Sequence, residues 1–429
     1  MYTSTQTTKL HHLLSYVREH SPFYRQLYAD IADGNRCLQD HPLLPAAAFW
    51  QANGIEHNQV MTQALADGIT FKSGGSTGNP KYSVFTNQEW HEFTMAFGQG
   101  MRRAGLQVGE RIGNLFYAGR LYASFLFIGK SIEQAGVGMC YPIAGGDIEE
   151  IMHIWQQFKI STLAGVPTTL MSMLGQMTDE TRQQLNLQRF LYGGEPMFPD
   201  QIALLKAYFP QCQVQSVGIA GVDYGELGWD ASREAGIGVH HCFDDSTILE
   251  IVDEAGNNIN EVGVAGILVI TNLHRKLMPI IRYPVGDMGQ WVDAPGTAYR
   301  RFQVLGRSDS GARIGPMTLY VDDVAQLVSH INRDATLPEI SNFQILVQHF
   351  EHKDRCCLRF ATALPQDMSP QVYRHITDIL YQQRPMFLEL LKADLIHTPA
   401  IEWVSSADLS INPRTGKLLR VIDQRLQST

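Results

Sequence analysis

Between about residues 87 and 220 the apolar positions alternate between two periods. Trp90, Phe93, Phe97, Met101 and Ala104 recur at three- and four-residue spacing, which predicts a helix that Asn87 can cap, and RIGNLFYA follows as a strand. The unit then repeats. Asp147 can cap a second helix carrying Ile148, Ile151, Met152, Trp155 and Phe158 on one face, and STLAGVP reads as a buried strand. TTLMSMLGQM, QRFLYGG, FPDQIALLKAYF and CQVQSVGI continue the alternation. Helices interleaved with short buried strands imply a largely parallel sheet covered on both faces, with ligands at the carboxyl ends of its strands.

Beyond residue 240 the pattern changes. ILEIV, the DEAGN turn and GILVIT predict antiparallel hairpins, and RFQVLGRSD closes that region. Residues 320–429 form another block, with a helix expected from Asp322 to Asn332, strands near 342–349 and 356–363, and a helix from Ser369 to Leu391. The expected fold class is therefore α/β. A large domain over 1–308 has mostly parallel sheets covered by helices plus a β-rich region, and a small mobile α+β domain over 309–429 forms a lid. The hinge is expected at Asp309, at the start of the short connection to Gly315.

The chain has 429 residues, 44% hydrophobic and 18% charged, enough for a full core. A formal net charge of −9 and the lack of any Lys/Arg stripe argue against a nucleic-acid binder. There is no apolar run long enough to span a membrane and no basic-then-apolar order at the start, so a cytoplasmic protein without a membrane partner is expected. The six cysteines show no CxxC spacing, which suggests neither a disulfide framework nor a zinc site. His240, His241 and Cys242, followed by Asp244 and Asp245, look metal-like. Neighbours on an extended segment point to opposite faces, however, so proximity to a substrate pocket, or plain packing, is the better reading.

The densest chemical signal is FKSGGSTGNPK, Phe71 to Lys81. Gly74, Gly75 and Gly78 let backbone N–H groups turn toward an anion, Ser73, Ser76 and Thr77 add donors, and Lys81 adds a point charge. It is not a Walker loop, because Asn79-Pro80-Lys81 leads into the strand-like YSVFT instead of a helix.

Four further strings accompany it: YGGEP (192–196), IAGVDYGELGWD (219–230), MPIIRYPVGD through VLGRSD (278–309) and INPRTGK (411–417). With these five strings, nearly the whole chain resembles the adenylate-forming superfamily of acyl-CoA synthetases, peptide-synthetase adenylation domains and luciferases. HSPFYRQLY and EIVDEAGNNINEVGVAGILVITNLHRKLMPIIRYPVGD resemble its phenylacetate-CoA ligase branch in particular, and IAGVDYGELGWD is similar to atypical members associated with phenazine antibiotic biosynthesis.

The resemblance implies a two-step reaction. A carboxylate attacks the α-phosphorus of ATP to give acyl-AMP and pyrophosphate, and a nucleophile then displaces AMP. Phosphoryl chemistry is chiefly positioning and charge neutralisation, so Ser73, Gly74, Gly75, Ser76, Thr77, Gly78 and Lys81 would hold the β- and γ-phosphates. Gly194, Glu195 and Pro196 would contact adenine and ribose. Asp287 would accept from both ribose hydroxyls, with Arg307 beside the ribose or α-phosphate. Family members usually carry YGxTE, whose glutamate organises magnesium. Aligning on QVQSVG puts Asp223 there, a hard oxygen ligand one methylene shorter; aligning on Tyr224-Gly225 would put Glu226 there or no acid. Lys417 would bridge the substrate carboxylate and the α-phosphate.

Phe116, Tyr117, Leu121, Tyr122 and Tyr141, with Gly218, Ala220 and Gly221, fall where the branch forms its acyl pocket. Their character suits an aromatic acid, and the small residues suggest space for a larger ring system. The expected partners are ATP, Mg2+ and a carboxylic acid, with coenzyme A, an acyl carrier protein thiol or an amine as acceptor, in a monomer or homodimer. IGPMTLYVDD keeps the family's glycine as Gly315 but not the usual preceding arginine, which weakens the expectation for CoA. A protein that keeps the fold and only binds an acyl-adenylate or aromatic acid is the alternative, and Lys417 and Asp287 speak against it.

Overall fold

The computed structural model describes residues 3–73, 81–144, 147–307, 311–334, 337–362, 369–411 and 418–425. Among them, a five-stranded parallel sheet runs in the order Met139–Pro142, Arg111–Asn114, Thr162–Gly165, Arg189–Tyr192, Gln213–Ser216. Its residues divide between two cores with the period of a strand. Leu163 and its register partner Phe190 pack with Trp155, Leu170 and Leu205 on one face, whereas Ala164 and Leu191 pack with Phe97, Met101 and Ile132 on the other. This sheet is buried on both faces, as its alternation with helices predicts.

The helix Asn87–Arg103 forms where expected, but Thr86 is its cap rather than Asn87. The Thr86 hydroxyl accepts from the Glu89 N–H, and Glu89 returns a bond to the Thr86 N–H in a capping box. Asp147 caps Ile148–Gln157 as expected, accepting from the Glu149 N–H. The expected long helix over 369–391 is two helices, Pro370–Gln383 and Pro385–Lys392, because Pro385 has no N–H to donate back into a continuous helix.

After Ser216 the chain changes sheet. Gly218 turns the corner at φ +110°, close to the Gly228 carbonyl and the Phe97 ring, where a Cβ would approach to 2.8–2.9 Å. Ile219–Gly221 then pairs with Gly225–Asp230 at the edge of a seven-stranded antiparallel sheet. The other strands of that sheet are Val239–Cys242, Thr247–Val252, Ala265–Asn272, Tyr283–Trp291 and Arg301–Arg307. The N-terminal helix Ser4–His20 buries Leu10, Leu13, Leu14 and Val17 in the core of this sheet.

From residue 311 onward the described chain has a hydrophobic core of its own, centred on Leu319, Leu327, Ile345, Leu358, Ile376 and Phe387. It contains the hairpin Gly311–Ile314 and Met317–Tyr320 and a mixed sheet of Ala400–Val404, Lys353–Ala361, Asn342–Phe350 and Val421–Asp423. No helix among the described residues is long and apolar enough to cross a membrane.

Candidate active site

The site gathers where the parallel sheet ends and the antiparallel sheet begins. Ile69–Ser73 and Lys81–Phe85 form a hairpin whose last pair is Ser73 opposite Lys81, so the Gly-rich connection leaves from and returns to one place. Gly74, Gly75, Ser76, Thr77 and Gly78 lie outside the described residues. Lys81 lies within them. Its Nζ is 3.4 Å from Asp223 Oδ2 and 5.3 Å from the centre of the Trp50 ring.

Asp223 sits at the tip of the hairpin made by Ile219–Gly221 and Gly225–Asp230. The Tyr283 hydroxyl donates to the same Oδ2 at 3.4 Å and itself accepts from Trp50 Nε1 at 3.2 Å. Asp223 Oδ1 is buried without a hydrogen-bond partner among the described residues, an open acceptor beside a cation. Glu226, the competing acid, faces elsewhere. It is 1% exposed on a strand, near Asn272 Nδ2 at 3.4 Å, and burial pushes its carboxyl up to about 7. Of the two acids, Asp223 is the one beside Lys81.

Asp287 lies on the strand Tyr283–Trp291, directly opposite Arg307 in register, with Gly286 before it at φ +86°. That pairing brings the two expected nucleotide residues to one end of the antiparallel sheet. Lys417 and Asp309 lie outside the described residues.

On the acyl side, Phe116 is buried and its ring would be 3.2 Å from a Cβ at Gly193. Tyr117 is half exposed and meets Tyr122 edge-on at 5.5 Å. Between them Gly119, Arg120 and Leu121 all have positive φ, and the Leu121 carbonyl accepts from the Lys72 N–H at 2.8 Å, tying this loop to the hairpin that carries Lys81. The small residues do not leave the free space expected of them. The volume beside Gly221 is occupied by the Tyr224 ring, 2.6 Å from where a Cβ would stand, and that beside Gly218 by Phe97. Ala220 packs at the margin of the same core.

YGGEP, at the carboxyl end of Arg189–Tyr192, meets the C-terminal hairpin. Glu195 Oε1 accepts from the Thr168 N–H at 2.5 Å, and its Oε2 would be 3.6 Å from a Cβ at Gly315. The residue keeps some exposure, but its carboxylate end is enclosed, and burial pushes it up to about 7. Arg313, which drew no attention in the sequence, donates to the Gly194 carbonyl and, through Nε, to the Gly315 carbonyl at 3.1 Å. An arginine thus serves the glycine turn from two positions upstream, where motif matching did not look for it. Below the turn, Asp354 accepts from the Gly315 N–H at 2.8 Å, from Arg425 at 2.7 Å and contacts His349 at 2.7 Å. Burial alone would raise that carboxyl, but these partners hold it below the ordinary carboxylate range.

The metal-like cluster resolves into packing. The His240 ring nitrogen Nε2 lies 3.3 Å from Ser216 Oγ, and His241 Nε2 lies 3.3 Å from Glu234 while its ring stacks on Trp229.

No protein-family model matches the chain. It is 24% identical over 379 residues to a phenylacetate-coenzyme A ligase of Thermus thermophilus, covering 84% of this chain and 81% of that protein. A phenylacetate-coenzyme A ligase of Pseudomonas putida is likewise 24% identical over 382 residues, with 82% of each covered. The fold is similar to that of 2-hydroxyisobutyryl-CoA ligase, solved in complex with 2-HIB-AMP and CoA. The TM-score is 0.67 at 17% identity, over 98% of this chain and 89% of that one. The chain is thus similar in sequence to phenylacetate-coenzyme A ligases and similar in fold to an acid–CoA ligase.

Proposed function

We propose that this protein is an ATP-dependent acid–CoA ligase, which converts a carboxylic acid to acyl-AMP and pyrophosphate and then passes the acyl group to the thiol of coenzyme A. The observation that carries this reading is the meeting of Lys81, at the return of the Gly-rich hairpin, with Asp223 at 3.4 Å. A lysine charge facing a carboxylate across the mouth of a phosphate-type loop is the arrangement a leaving pyrophosphate and its counterion need.

Magnesium suits the residues present. Asp223 offers a hard oxygen, Oδ1, that is buried and otherwise unpartnered among the described residues. When bound, the ion would neutralise charge on the phosphates. The rest of the work falls to the chain. Ser73 to Lys81 would hold the β- and γ-phosphates, Asp287 and Arg307 the ribose side, and Gly194, Glu195 and Pro196 the nucleoside edge. The acid would lie against Phe116, Tyr117 and Tyr122, whose rings favour an aromatic carboxylate.

In this reading residues 309–429 act as the small mobile domain, turning at Asp309 and delivering Lys417 to the α-phosphate for the first step. The Gly315 turn against Gly194 and Glu195 belongs to the second step, where it lines the approach of the thiol. A compartment with free ATP and CoA, the cytoplasm, fits both steps.

The test is acid-dependent pyrophosphate release with ATP and magnesium across benzoic, phenylacetic, cinnamic, phenazine-carboxylic and fatty acids, followed by CoA addition. Release with an aryl acid and a CoA thioester as product is the expected result. ATP binding without release for any acid would favour a protein that only holds its ligand.

A further inference from the structure

Arg275 is a buried cation that none of the motifs includes. It lies just beyond the strand Ala265–Asn272 and is 2% exposed. The backbone around it is fixed from both sides. Asn272 Oδ1 accepts from the N–H groups of His274 and Arg275 at 3.0 and 3.1 Å, and Glu89 Oε1 accepts from those of Lys276 and Leu277 at 2.7 and 2.8 Å.

From this anchored position the guanidinium reaches two separate pieces of the active site. Nη1 donates to the carbonyls of Val222 and Asp223 at 3.2 and 2.8 Å, and Nη2 donates to the carbonyl of Val84 at 3.2 Å. Its Cζ lies 4.1 Å from the centre of the Phe85 ring. The first pair of bonds holds the hairpin tip that carries Asp223. The third bond and the ring contact hold the strand Lys81–Phe85, which begins with Lys81.

Stability alone is a poor reason for such a residue. Burial lowers the guanidinium to about 10, its Nε has no hydrogen-bond partner among the described residues, and its hydrogen bonds go to neutral carbonyls. An apolar side chain of similar volume commonly serves a core as well or better than a buried charge. What an apolar chain cannot do is bond two segments through one rigid planar fork. The two segments it joins are those whose side chains meet as Lys81 and Asp223.

We infer that Arg275 is a positioning residue for nucleotide and magnesium recognition: it sets the separation of Lys81 and Asp223 by tying their backbones together. The inference rests on the reading of this site as a nucleotide site. It differs from that reading in acting through residues that touch the ligand, without touching it.

The test compares Arg275→Lys, which keeps a charge but loses the fork, with Arg275→Met, which keeps bulk and loses both. Equilibrium binding of ATP is measured by calorimetry over a magnesium titration, and the KM values for ATP and for the acid are measured by pyrophosphate release. We expect Arg275→Met to weaken ATP·Mg2+ binding by about tenfold or more and to shift the magnesium midpoint upward, with KM for the acid within about twofold. Arg275→Lys should recover only part of that loss. In a Lys81→Ala background the Arg275→Lys effect should shrink, because the separation it sets has lost its lysine, while the part carried through Asp223 remains.

Binding within about twofold of wild type in Arg275→Lys overturns the inference, even if Arg275→Met fails to fold. So does full additivity with Lys81→Ala, or a lowered melting temperature with unchanged nucleotide affinity. A wild type that binds ATP·Mg2+ but releases no pyrophosphate contradicts the proposed activity while leaving this binding test intact. A wild type that binds no nucleotide overturns both.

Discussion

The two edges of the site are built differently. At one edge, proposed to hold the phosphates, Lys81 and Asp223 are side chains on a strand and a tight hairpin, cross-braced by Arg275 through three backbone carbonyls. At the opposite edge, Glu195, Gly315, Arg313 and Asp354 meet across a seam between two hydrophobic cores, that around the parallel sheet and that of residues 312–403. The first edge is preorganised and needs no movement to present its charges. The second exists only while the two cores are in contact, and it contains a carboxyl that burial holds near neutrality. Under the proposed function, such a site would keep its hold on the phosphates constant while the edge at Glu195, which serves both the nucleoside and the approach of the thiol, is assembled and dismantled.

That contrast can be broken at either edge. The largest effect is expected from Lys417→Ala. One charge pairing at about 4 Å and an effective dielectric near 20 is on the order of 4 kcal/mol, so pyrophosphate release should fall roughly a thousandfold, with ATP affinity nearly unchanged. Single-turnover release against equilibrium ATP binding separates the two. Next is Asp223→Ala, which removes the acceptor facing Lys81. Release should fall by about ten- to a hundredfold, and extra magnesium should not restore it, as a magnesium titration of the rate would show.

Changes on the Gly315 side of the other edge should fall mainly on the second step. Gly315 has φ +51°, and a Cβ there would stand 3.1 Å from Ile396 Cγ2. Gly315→Ala should therefore slow acyl transfer to CoA by roughly fivefold or more, with adenylation within about twofold. Quenched-flow measurement of thioester from preformed adenylate, set beside pyrophosphate release, would show a matching loss in both steps if the two edges were not separable.

The smallest effect concerns pH. Burial raises Glu195 from its ordinary 4.5 to about 7, so if the seam supplies that burial, the docked state binds the proton more tightly. Its contribution is then full below about pH 4.5 and is lost as pH rises through about 7. Acyl transfer should decline across that window by a few-fold and level off above it, and Glu195→Gln should flatten the profile. A wild-type profile identical to that of Glu195→Gln would remove Glu195 from the account.

Much of the parallel-sheet region was readable from periodicity, because strands such as Thr162–Gly165 and helices such as Ile148–Gln157 each bury residues at the spacing their geometry demands. The strand that follows the Gly-rich string, Lys81–Phe85, was readable from its β-branched and aromatic residues. Aligning on QVQSVG favoured Asp223 over Glu226, and the fold puts Asp223 at the tip of a hairpin and Glu226 buried on its strand. Arg275 and Arg313 escaped notice. Each works through backbone carbonyls brought close only by the tertiary fold, so neither leaves a spacing to find. Pro385 did announce its break, yet the apolar pattern ran through it. The space expected from Gly218 and Gly221 disappeared because Phe97 and Tyr224, remote or merely adjacent in sequence, fill it.

The central claim is that the protein forms an acyl-adenylate. Its most direct test is mass-spectrometric detection of acyl-AMP after incubation with ATP, magnesium and the acid panel in the absence of CoA, with Lys417→Ala alongside. The account predicts an adenylate of at least one aromatic acid with wild type and none above background with Lys417→Ala. Bound ATP with no adenylate from any acid, or equal adenylate from both proteins, would contradict it.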